Sequence, residues 1–326
     1  MISTLYIEEA VREHPRVQKI VERFQHITIV YCERYTEIFN KKAQDFRIQK
    51  QAPALILAKK HKNFVLPTPD GYGIGRQGNY YFSHMLNCLY DCRYCFLQGM
   101  YHSANYVLFV NYEDFADAVC NTDTSTQSCY FSGYDCDSLA FEPVTGFAAH
   151  FLDLFSQLPD SWLELRTKST QIRGLLDRPA LQNVIIAFSL SPQDIVSALE
   201  HKTPSLAKRL EAIQRLQQHG WPIGLRLDPL IYHQNFVVDY AQMIKAMFNV
   251  IDSQNIHSIT LGTFRLPSGF FNKAAANYPD EPLFALDYEV TNGMKGYALM
   301  QSRQMINECI DKLLGYVPQD TIYVME

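Results

Sequence analysis

The hydrophobic and polar positions along this chain follow two different periods. In about the first 40 residues, apolar side chains recur at helical spacing, as in Val17, Ile20 and Phe24, which predicts one or two amphipathic helices. Beyond Gly78, short β-rich runs alternate with stretches of helical periodicity. This alternation is typical of a parallel sheet whose strands are connected by helices.

Six β-rich runs of this kind follow one another. They span residues 80–86, 128–132, 162–167, 184–190, 223–227 and 256–263. An additional strand is predicted at residues 107–110, and the main connecting helices at residues 111–120, 146–158, 205–219 and 238–250. We expect Asn111 to be the N-cap of the first of these helices and Gly220 to end the third. Six strand–helix units predict an α/β fold, an open and partial (β/α)6 barrel with an N-terminal α/β extension.

The glycine cluster that ends at Gly78 separates the two patterns. Its sequence, GYGIGRQG, has neither the lysine nor the following helix of a phosphate-binding loop, so a flexible loop is predicted here. We therefore expect two regions. Residues 1–78 would form the N-terminal extension, and residues 79–326 would form the barrel with a C-terminal segment that faces the substrate.

Composition restricts the class of protein. Of the 326 residues, 47% are hydrophobic and 19% are charged, which is enough apolar sequence for a large globular core. Only three of the eight cysteines form a compact motif, so a reducing compartment is favoured over a disulfide framework. The N-terminus lacks the apolar core of a signal peptide, and no apolar run reaches membrane-spanning length. We expect a cytoplasmic protein without a membrane partner.

The net charge of −5 argues against binding of nucleic acid by the whole surface, but residues 41–62 are locally basic. They carry Lys41, Lys42, Arg47, Lys50, Lys59, Lys60 and Lys62 against the single acid Asp45. Taken alone, this basic stretch is more typical of a solvated face around the apolar residues 54–58. The alternative is contact with DNA phosphates, since lysine and arginine provide the sequence-independent part of nucleic-acid affinity.

The densest chemistry lies in a loop after the first run, where Cys88, Cys92 and Cys95 have the spacing C-x3-C-x2-C. Thiolates this close together are typical ligands of zinc and of iron–sulfur clusters. One alternative is a structural zinc site, with His84 or His102 as a fourth ligand. The other is a four-iron, four-sulfur cluster held by only three cysteines, which leaves one iron free to bind a substrate or cofactor.

Polar side chains also follow the other β-rich runs. They are residues 132–137, Lys168, Ser189, Ser191, Asp228 and Arg265. Because the C-terminal ends of parallel strands meet at one edge, we expect these side chains to converge with the cysteine loop.

With Tyr94 at the aromatic position, the cysteine motif resembles the C-x3-C-x-aromatic-C signature of the radical S-adenosylmethionine (SAM) superfamily. The resemblance implies that Cys88, Cys92 and Cys95 hold a 4Fe-4S cluster whose open iron binds SAM. In that superfamily the reduced cluster cleaves SAM to a 5′-deoxyadenosyl radical. It also implies a one-electron reductant, such as flavodoxin or ferredoxin, as a partner.

Most of residues 35–316 resembles a narrower group, the spore photoproduct lyase-like DNA repair enzymes. The resemblance rests on CRYCFLQ, YVLFVNYEDF, FSGYDCD, FSLSPQDIVSALEHKTPSLAKRLEAI and WPIGLRLDPLIYH. It implies a lyase that acts on damaged DNA and repairs a methylene-bridged thymine dimer. In this family the adenosyl radical takes a hydrogen atom from the lesion, the bridge breaks, and a cysteine returns a hydrogen atom.

The resemblance also assigns roles to individual residues. Lys168 and Ser189 match positions that contact SAM, and Tyr94 belongs to the cofactor-binding motif. The segment FSGYDCD resembles the glycine-rich second-strand motif that holds the SAM amino group, which places Gly133 and Tyr134 beside that group.

The chain departs from the family at the residues of radical return. The tyrosine expected after the third cysteine is Phe96, the hydrogen-donor cysteine aligns with Tyr134, and Cys136 lies two residues further on. Cys136 and Tyr134 are therefore the candidate catalytic residues. Residues 291–297 align only loosely with the lesion-binding segment. Two alternatives stay open: a radical SAM enzyme with a substrate other than DNA, and a zinc-stabilised nucleic-acid-binding module without catalysis.

Overall fold

The computed structural model describes residues 2–122 and 127–325. Its β-strands are β1 (Thr4–Glu8), β2 (Thr28–Cys32), β3 (Leu55–Ala58), β4 (Leu66–Pro67), β5 (Gly78–Phe82), β6 (Met85–Leu86), β7 (Asp91–Cys92), β8 (Tyr106–Phe109), β9 (Ser128–Ser132), β10 (Trp162–Thr167), β11 (Val184–Ser189), β12 (Glu200–His201), β13 (Ile223–Leu230), β14 (Ile256–Thr263), β15 (Arg265–Pro267), β16 (Glu289–Thr291), β17 (Met294–Gly296) and β18 (Ile322–Val324). Its helices are α1 (Pro15–Arg23), α2 (Phe46–Gln51), α3 (Leu97–Met100), α4 (Tyr112–Cys120), α5 (Glu142–Thr145), α6 (Phe147–Phe155), α7 (Arg173–Leu176), α8 (Gln193–Leu199), α9 (Leu206–Gln218), α10 (Phe236–Phe248), α11 (Ser268–Asn277) and α12 (Leu299–Leu313). Within these described residues, none of the helices has the length and apolarity needed to cross a membrane.

The largest sheet has the strand order β18-β14-β13-β11-β10-β9-β5-β4. Neighbouring strands from β5 to β14 are parallel, as are β14 and β18, while β4 joins the edge antiparallel to β5. The parallel strands β5, β9, β10, β11, β13 and β14 correspond to the six predicted β-rich runs. Their C-terminal ends therefore share one edge of the sheet, as expected.

Strand residues alternate between two apolar clusters, because successive side chains of a strand point to opposite faces. In β11, Ile186 and Phe188 belong to the large core, which also contains residues of α6, α9 and α10. The alternate residues Ile185 and Ala187 belong to a smaller cluster. Its members are Ile74, Cys129, Phe131, Ile185, Ala187 and Met325. Both faces of the parallel strands are thus covered, as this kind of sheet requires.

The glycine-rich segment is packed against the sheet, so the prediction of a flexible loop was wrong. Ile74 is only 1% exposed and fills the smaller cluster. Beside it the ring of Tyr72 lies 5.0 Å from the ring of Phe131, and the guanidinium of Arg76 lies 3.7 Å from the centre of the Trp162 ring. The segment holds an apolar side chain and two ring contacts against the sheet, and this packing fixes its position.

A second sheet has the order β2-β1-β3-β8-β6. Between its first two strands runs α1, which has the predicted helical periodicity and buries Val17 and Ile20. The strands β1 and β2 on either side of α1 were not predicted. Because β6 and β8 come from beyond residue 78, this sheet joins segments of both predicted regions. The division of the chain at residue 78 stays a prediction.

Several element boundaries agree with the sequence pattern. Strands β9, β10 and β14 have the predicted limits, Ser205 caps α9 through its side chain, and Gly220 follows α9 with a φ of 96°. One prediction was wrong, because the run at residues 80–86 divides between β5 and β6, which lie in different sheets. Asn111 occupies the N-cap position of α4, as predicted, but its side chain makes no capping bond to the helix. Its side-chain oxygen instead accepts a hydrogen bond from the backbone N–H of Lys60 at 2.9 Å.

The packing of Ile74 leads to a stability prediction. Replacing Ile74 with Ala should lower the free energy of unfolding by about 2–5 kcal/mol, because the change leaves a cavity in the smaller cluster. Ile48 is 65% exposed, so Ile48→Ala should change it by less than about 0.5 kcal/mol. Chemical denaturation of both variants measures this difference. Equal stabilities would mean that the glycine-rich segment contributes nothing to the core.

Candidate active site

The cysteine loop is fixed to the protein at both of its ends. Asn87 precedes Cys88 in the left-handed conformation, with a φ of 66°, and its side-chain amide donates hydrogen bonds to the carbonyls of Ser103 (2.8 Å) and Asn105 (2.7 Å). Further along, β7 pairs antiparallel with β12, which places Cys92 opposite Glu200. The loop is therefore held by the Asn87 side chain before Cys88 and by strand pairing at Cys92.

The back of the loop is held by a charged cluster around Asp91. The carboxylate of Asp91 lies 2.8 Å from the guanidinium of Arg93 and 3.7 Å from the ammonium of Lys50, and it accepts a hydrogen bond from the Gln98 side chain at 2.9 Å. Burial acts to raise the pKa of Asp91, but Lys50 and Arg93 more than offset this effect, so the pKa lies below its usual value. Lys50 of the basic stretch therefore supports the cysteine loop.

The three loop cysteines are free thiols, like the other five cysteines of the chain. Burial raises the pKa of each thiol, to about 12 for Cys88, and the charges of neighbouring loop cysteines add to the effect on Cys88 and Cys92. Three free cysteine sulfurs on one loop are the donor set that a 4Fe-4S cluster requires, and loading it at neutral pH would displace the thiol protons.

The zinc alternative gains no support from the histidines. His84 is stacked on the ring of Phe147 at 3.6 Å, and burial followed by the charge of Lys60 lowers its pKa to about 3. His102 is exposed. Across residues 2–122 and 127–325, no group of three or more His, Cys, Asp or Glu side chains is arranged to hold a single metal ion.

Tyr94 anchors the loop to a buried carboxylate. Its hydroxyl donates to one oxygen of Glu200, which also accepts a hydrogen bond from Ser191 at 3.1 Å, and the guanidinium of Arg209 bonds the other oxygen. Both Glu200 and Arg209 have fully buried side chains. Arg209 also donates to the carbonyl of Ser189 at 3.0 Å, so one network links the cysteine loop to the end of β11.

Lys168 joins the same region from the end of β10. Its ammonium lies 5.5 Å from the centre of the Tyr94 ring. Burial acts to lower the pKa of Lys168, but the charges of Glu200 and Cys92 outweigh it, so the pKa is raised above its usual value. Lys168 thus keeps its positive charge beside the cysteine loop, and Ser189 lies buried at the neighbouring strand end. Their contact with SAM stays a prediction.

The segment after β9 is shaped by Gly133 and Asp137. Gly133 has a φ of 83°, and a Cβ there would lie 2.7 Å from the Ser138 hydroxyl and 2.9 Å from the Arg166 carbonyl. Asp137 accepts hydrogen bonds from the Thr167 hydroxyl and from the backbone N–H of Lys168, both at 2.6 Å. Only glycine fits the first position, and Asp137 ties the ends of β9 and β10 together.

The two candidate catalytic residues face different surroundings. The ring of Tyr134 lies 5.5 Å from the ring of Phe96 and 4.5 Å from the ring of Tyr81. Cys136 is only 5% exposed, belongs to the large core, and has its sulfur 3.9 Å from Nδ1 of His84. Tyr134 therefore lies beside the cysteine loop, because Phe96 directly follows Cys95.

The remaining residues that were expected at the site lie in different parts of the structure. Asp228 in β13 and Arg265, the first residue of β15, form an ion pair of 3.6 Å. Residues 291–297 form a hairpin, with β16 and β17 joined by a turn at Asn292 and Gly293. Lys60 of the basic stretch is folded inward, with its ammonium 5.3 Å from the centre of the Phe109 ring, and burial lowers its pKa.

Sequence reasoning missed Glu200, Arg209 and Tyr81, whereas Asp137 lies in the segment 132–137 that was expected at this edge. Glu200 and Arg209 had no usable signal, since each lies in a segment whose other charged residues, such as Lys202 and Lys208, are exposed.

The model of the spore photoproduct lyase family matches residues 1–284. The chain belongs to the spore photoproduct lyase family. Its curated relatives include the spore photoproduct lyase of Bacillus subtilis, which is 24% identical over 294 residues and aligns over 86% of this chain and 83% of the relative. The Clostridium acetobutylicum enzyme is 21% identical over 292 residues, with 87% and 84% covered.

Solved structures of spore photoproduct lyase share the fold. A variant with bound AdoMet and dinucleoside spore photoproduct has a TM-score of 0.84 at 16% identity and covers 100% of this chain and 98% of its own. A complex with dinucleoside spore photoproduct has a TM-score of 0.82 with the same identity and coverage. The likeness confirms the predicted partial barrel with its N-terminal extension.

The buried network makes a prediction about stability and pH. Glu200→Ala should lower the free energy of unfolding by about 3–5 kcal/mol, because it leaves the Arg209 charge buried without its partner. Burial acts to raise the pKa of Glu200, but Lys168 and Arg209 bring it below its usual value. The carboxylate therefore stabilises the protein above about pH 4.3, the ordinary value, and this contribution is lost as the pH falls through the lower folded value.

Denaturant unfolding between pH 3 and pH 7 measures both effects, with the exposed Glu211→Ala as the control. We expect the Glu200 variant to lose less stability than the parent on acidification. A loss below about 1 kcal/mol at pH 7 would contradict the buried ion pair.

Proposed function

We propose that this protein is a radical SAM lyase that repairs thymine-dimer lesions of the spore photoproduct type in DNA. The observation that carries the proposal is the match to the spore photoproduct lyase family over residues 1–284, which includes the free thiols of Cys88, Cys92 and Cys95 on one anchored loop. The three cysteines match the ligand set of a 4Fe-4S cluster, and the family match supports the lyase reaction.

The chain's own residues would divide the work as follows. Cys88, Cys92 and Cys95 would hold a 4Fe-4S cluster, and with SAM bound the cluster supplies a 5′-deoxyadenosyl radical. Lys168 would hold the SAM carboxylate or ribose through its ammonium, which keeps its charge beside Glu200. Ser189 would add a hydroxyl contact at the next strand end. Tyr94 would keep the cysteine loop in place through Glu200.

Three further residues would shape the SAM site and the reaction. Gly133 would expose backbone for the SAM amino group, since its φ of 83° is strained for a residue with a Cβ. Tyr134 and Cys136 are the candidates for returning a hydrogen atom to the lesion.

The DNA partner is supported by related proteins, because solved spore photoproduct lyases carry a dinucleoside spore photoproduct. We also propose that a one-electron carrier such as flavodoxin or ferredoxin reduces the cluster, and that the protein works in the cytoplasm, where thiols stay reduced. Phe96 and Tyr134 differ from the family pattern. A substrate other than DNA is therefore the alternative that the following experiment must separate.

The test is a repair assay under anaerobic conditions with SAM, dithionite and DNA that contains the lesion. The parent should carry iron and sulfide in a ratio near 4:4, cleave SAM to 5′-deoxyadenosine and methionine, and convert the lesion to two thymines. Alanine variants of Cys88, Cys92 or Cys95 should lose the cluster and both activities, because each supplies one of three ligands. Cys120 is exposed and outside the motif, so Cys120→Ala should match the parent.

Each result of this assay bears on one alternative. Stoichiometric zinc without sulfide would establish the zinc module and contradict the cluster. SAM cleavage without any change in the lesion would contradict DNA repair and support another substrate.

A second prediction concerns the basic stretch. Since Lys50 and Lys60 are turned inward, the DNA contacts should come from the other basic residues, such as Lys59 and Lys62. Replacing these two with Ala should weaken DNA binding and lower the slope of log affinity against log salt by about 1.8, which is about 0.9 for each lost phosphate contact. Binding titrations between 50 and 200 mM salt would measure the slope.

The matched control is Lys245→Ala with Lys312→Ala. Both lysines are exposed and lie in the last turns of α10 and α12. The helices that connect parallel strands start near the C-terminal edge and end near the opposite edge, so these lysines should not meet DNA. An unchanged slope in the Lys59 and Lys62 variant would make the basic stretch an ordinary solvated face.

A further inference from the structure

Radical repair of the kind proposed above leaves one chemical requirement open. Once the adenosyl radical has taken a hydrogen atom and the bridge has broken, the product carries an unpaired electron. It becomes a normal base only when a hydrogen atom is returned. The side chains that can give up a hydrogen atom most readily are thiols and phenols, so the donor should be one of these groups beside the cysteine loop.

The thiol of Cys136 points toward the protein core. Its sulfur lies 3.9 Å from Nδ1 of His84, whose ring is stacked almost parallel on Phe147, with an angle of 7° between the planes. Phe147 and Cys136 both belong to the large core, and Cys136 is only 5% exposed. With so little of its surface exposed, Cys136 offers a substrate little access to its sulfur.

By contrast, three partly exposed aromatic rings form a row that begins beside the cysteine loop. The ring of Phe96, which follows Cys95, lies 5.5 Å from that of Tyr134 at an angle of 46°. The ring of Tyr134 lies 4.5 Å from that of Tyr81 at 31°. Tyr81 belongs to β5, and β5 together with β4 forms one edge of the large sheet. Phe96 has no hydroxyl, so Tyr134 holds the first phenol in this row.

Both phenols keep their protons. Burial raises the pKa of Tyr134, and the neighbouring Tyr81 and Asp135 raise it further. Burial and Asp135 likewise raise the pKa of Tyr81. Asp135 is only 8% exposed, and its oxygen Oδ1 accepts no hydrogen bond among the described residues. A carboxylate in this position disfavours a second negative charge nearby, so both tyrosines remain neutral O–H donors.

We propose that Tyr134 returns the hydrogen atom to the product radical and that Tyr81 relays the radical away from the site. This inference rests on the proposed function and names the donor within it. In the first step the O–H bond of Tyr134 breaks and a C–H bond of the product forms, which leaves a neutral phenoxyl radical on Tyr134. In the second step Tyr134 takes the hydrogen atom of Tyr81 and is restored.

The balance of the cycle has a measurable consequence. The Tyr81 phenoxyl is reduced by one electron from the same one-electron reductant that serves the cluster, and it takes one proton from water. The 5′-deoxyadenosine formed at the start keeps the hydrogen atom that it removed from the lesion. Each repaired lesion therefore consumes one SAM and two electrons in total.

The test is repair in deuterium oxide with SAM and reductant in excess. Phenol protons exchange with solvent, so the parent should place one deuterium in each repaired product and release one 5′-deoxyadenosine per lesion. Tyr134→Phe keeps the ring and removes the O–H. It should lower the deuterated product at least tenfold and divert the product radical to adducts, while cluster content and thermal stability match the parent.

Tyr81→Phe tests the relay separately. It should permit a first turnover with deuterium and then slow at least fivefold, because the Tyr134 radical lacks its partner. Freeze-quench electron paramagnetic resonance with ring-deuterated tyrosine should show a narrowed tyrosyl signal in this variant. Tyr80→Phe is the matched control, since Tyr80 lies on the same strand and stacks on Tyr130 at 5.5 Å. Tyr80→Phe should stay within twofold of the parent, whereas Cys136→Ala tests the competing thiol donor.

The outcomes distinguish a failure of the tyrosine donor from a failure of the proposed repair function. Parental deuterium incorporation and rate in Tyr134→Phe would overturn the tyrosine donor and leave the repair function standing. Loss of deuterium in Cys136→Ala alone would assign the role to the thiol. If the parent cleaves SAM and never alters the lesion, the proposed function fails, and the tyrosine donor fails with it.

Discussion

The buried carboxylate of Glu200 is the interaction on which the site depends. One of its oxygens accepts a hydrogen bond from the hydroxyl of Tyr94, which lies in the middle of the cysteine motif. The other oxygen accepts a hydrogen bond from the guanidinium of Arg209. Its own backbone, in β12, pairs with Cys92. An unpaired charge at this depth would cost several kcal/mol, by order of magnitude, so the loop and the barrel stabilise one another only in this one arrangement. The cysteines are positioned by that constraint.

A second buried pair fixes the parallel strands below the site. Glu164 in β10 and Arg226 in β13 lie 2.7 Å apart with fully buried side chains, and Arg226 also donates to the carbonyl of Ser258 in β14 at 3.0 Å. Gly224 leaves room for the guanidinium, since a Cβ there would lie 2.6 Å from one of its nitrogens. The strands are thus held in register by polar contacts as well as by apolar packing. Directional bonds of this kind specify one alignment, whereas apolar contacts tolerate several.

Local patterns were sufficient to predict the six parallel strands of the barrel and the cysteine motif. Each of these strands is a short β-rich run, and the spacing of Cys88, Cys92 and Cys95 is itself a local signal. The other site residues depend on contacts between distant segments. Glu200 is buried only because β12 meets β7, and Ile74 only because the glycine-rich segment folds back on the sheet. A glycine-rich sequence has the same local pattern whether or not it packs, so its position could not be predicted.

The lysines of the basic stretch at residues 41–62 have different structural roles. Lys50 lies 3.7 Å from Asp91 behind the cysteine loop, and Lys60 is turned inward, where its charge acts on Asp135 beside Tyr134. Lys50 pairs with the buried carboxylate of Asp91, and removing it would leave that charge less compensated. Burial raises the pKa of Asp135, and the charge of Lys60 acts to lower it. The N-terminal sheet therefore contributes to the electrostatics of the site, and only the remaining cations of the stretch are available to a polyanion.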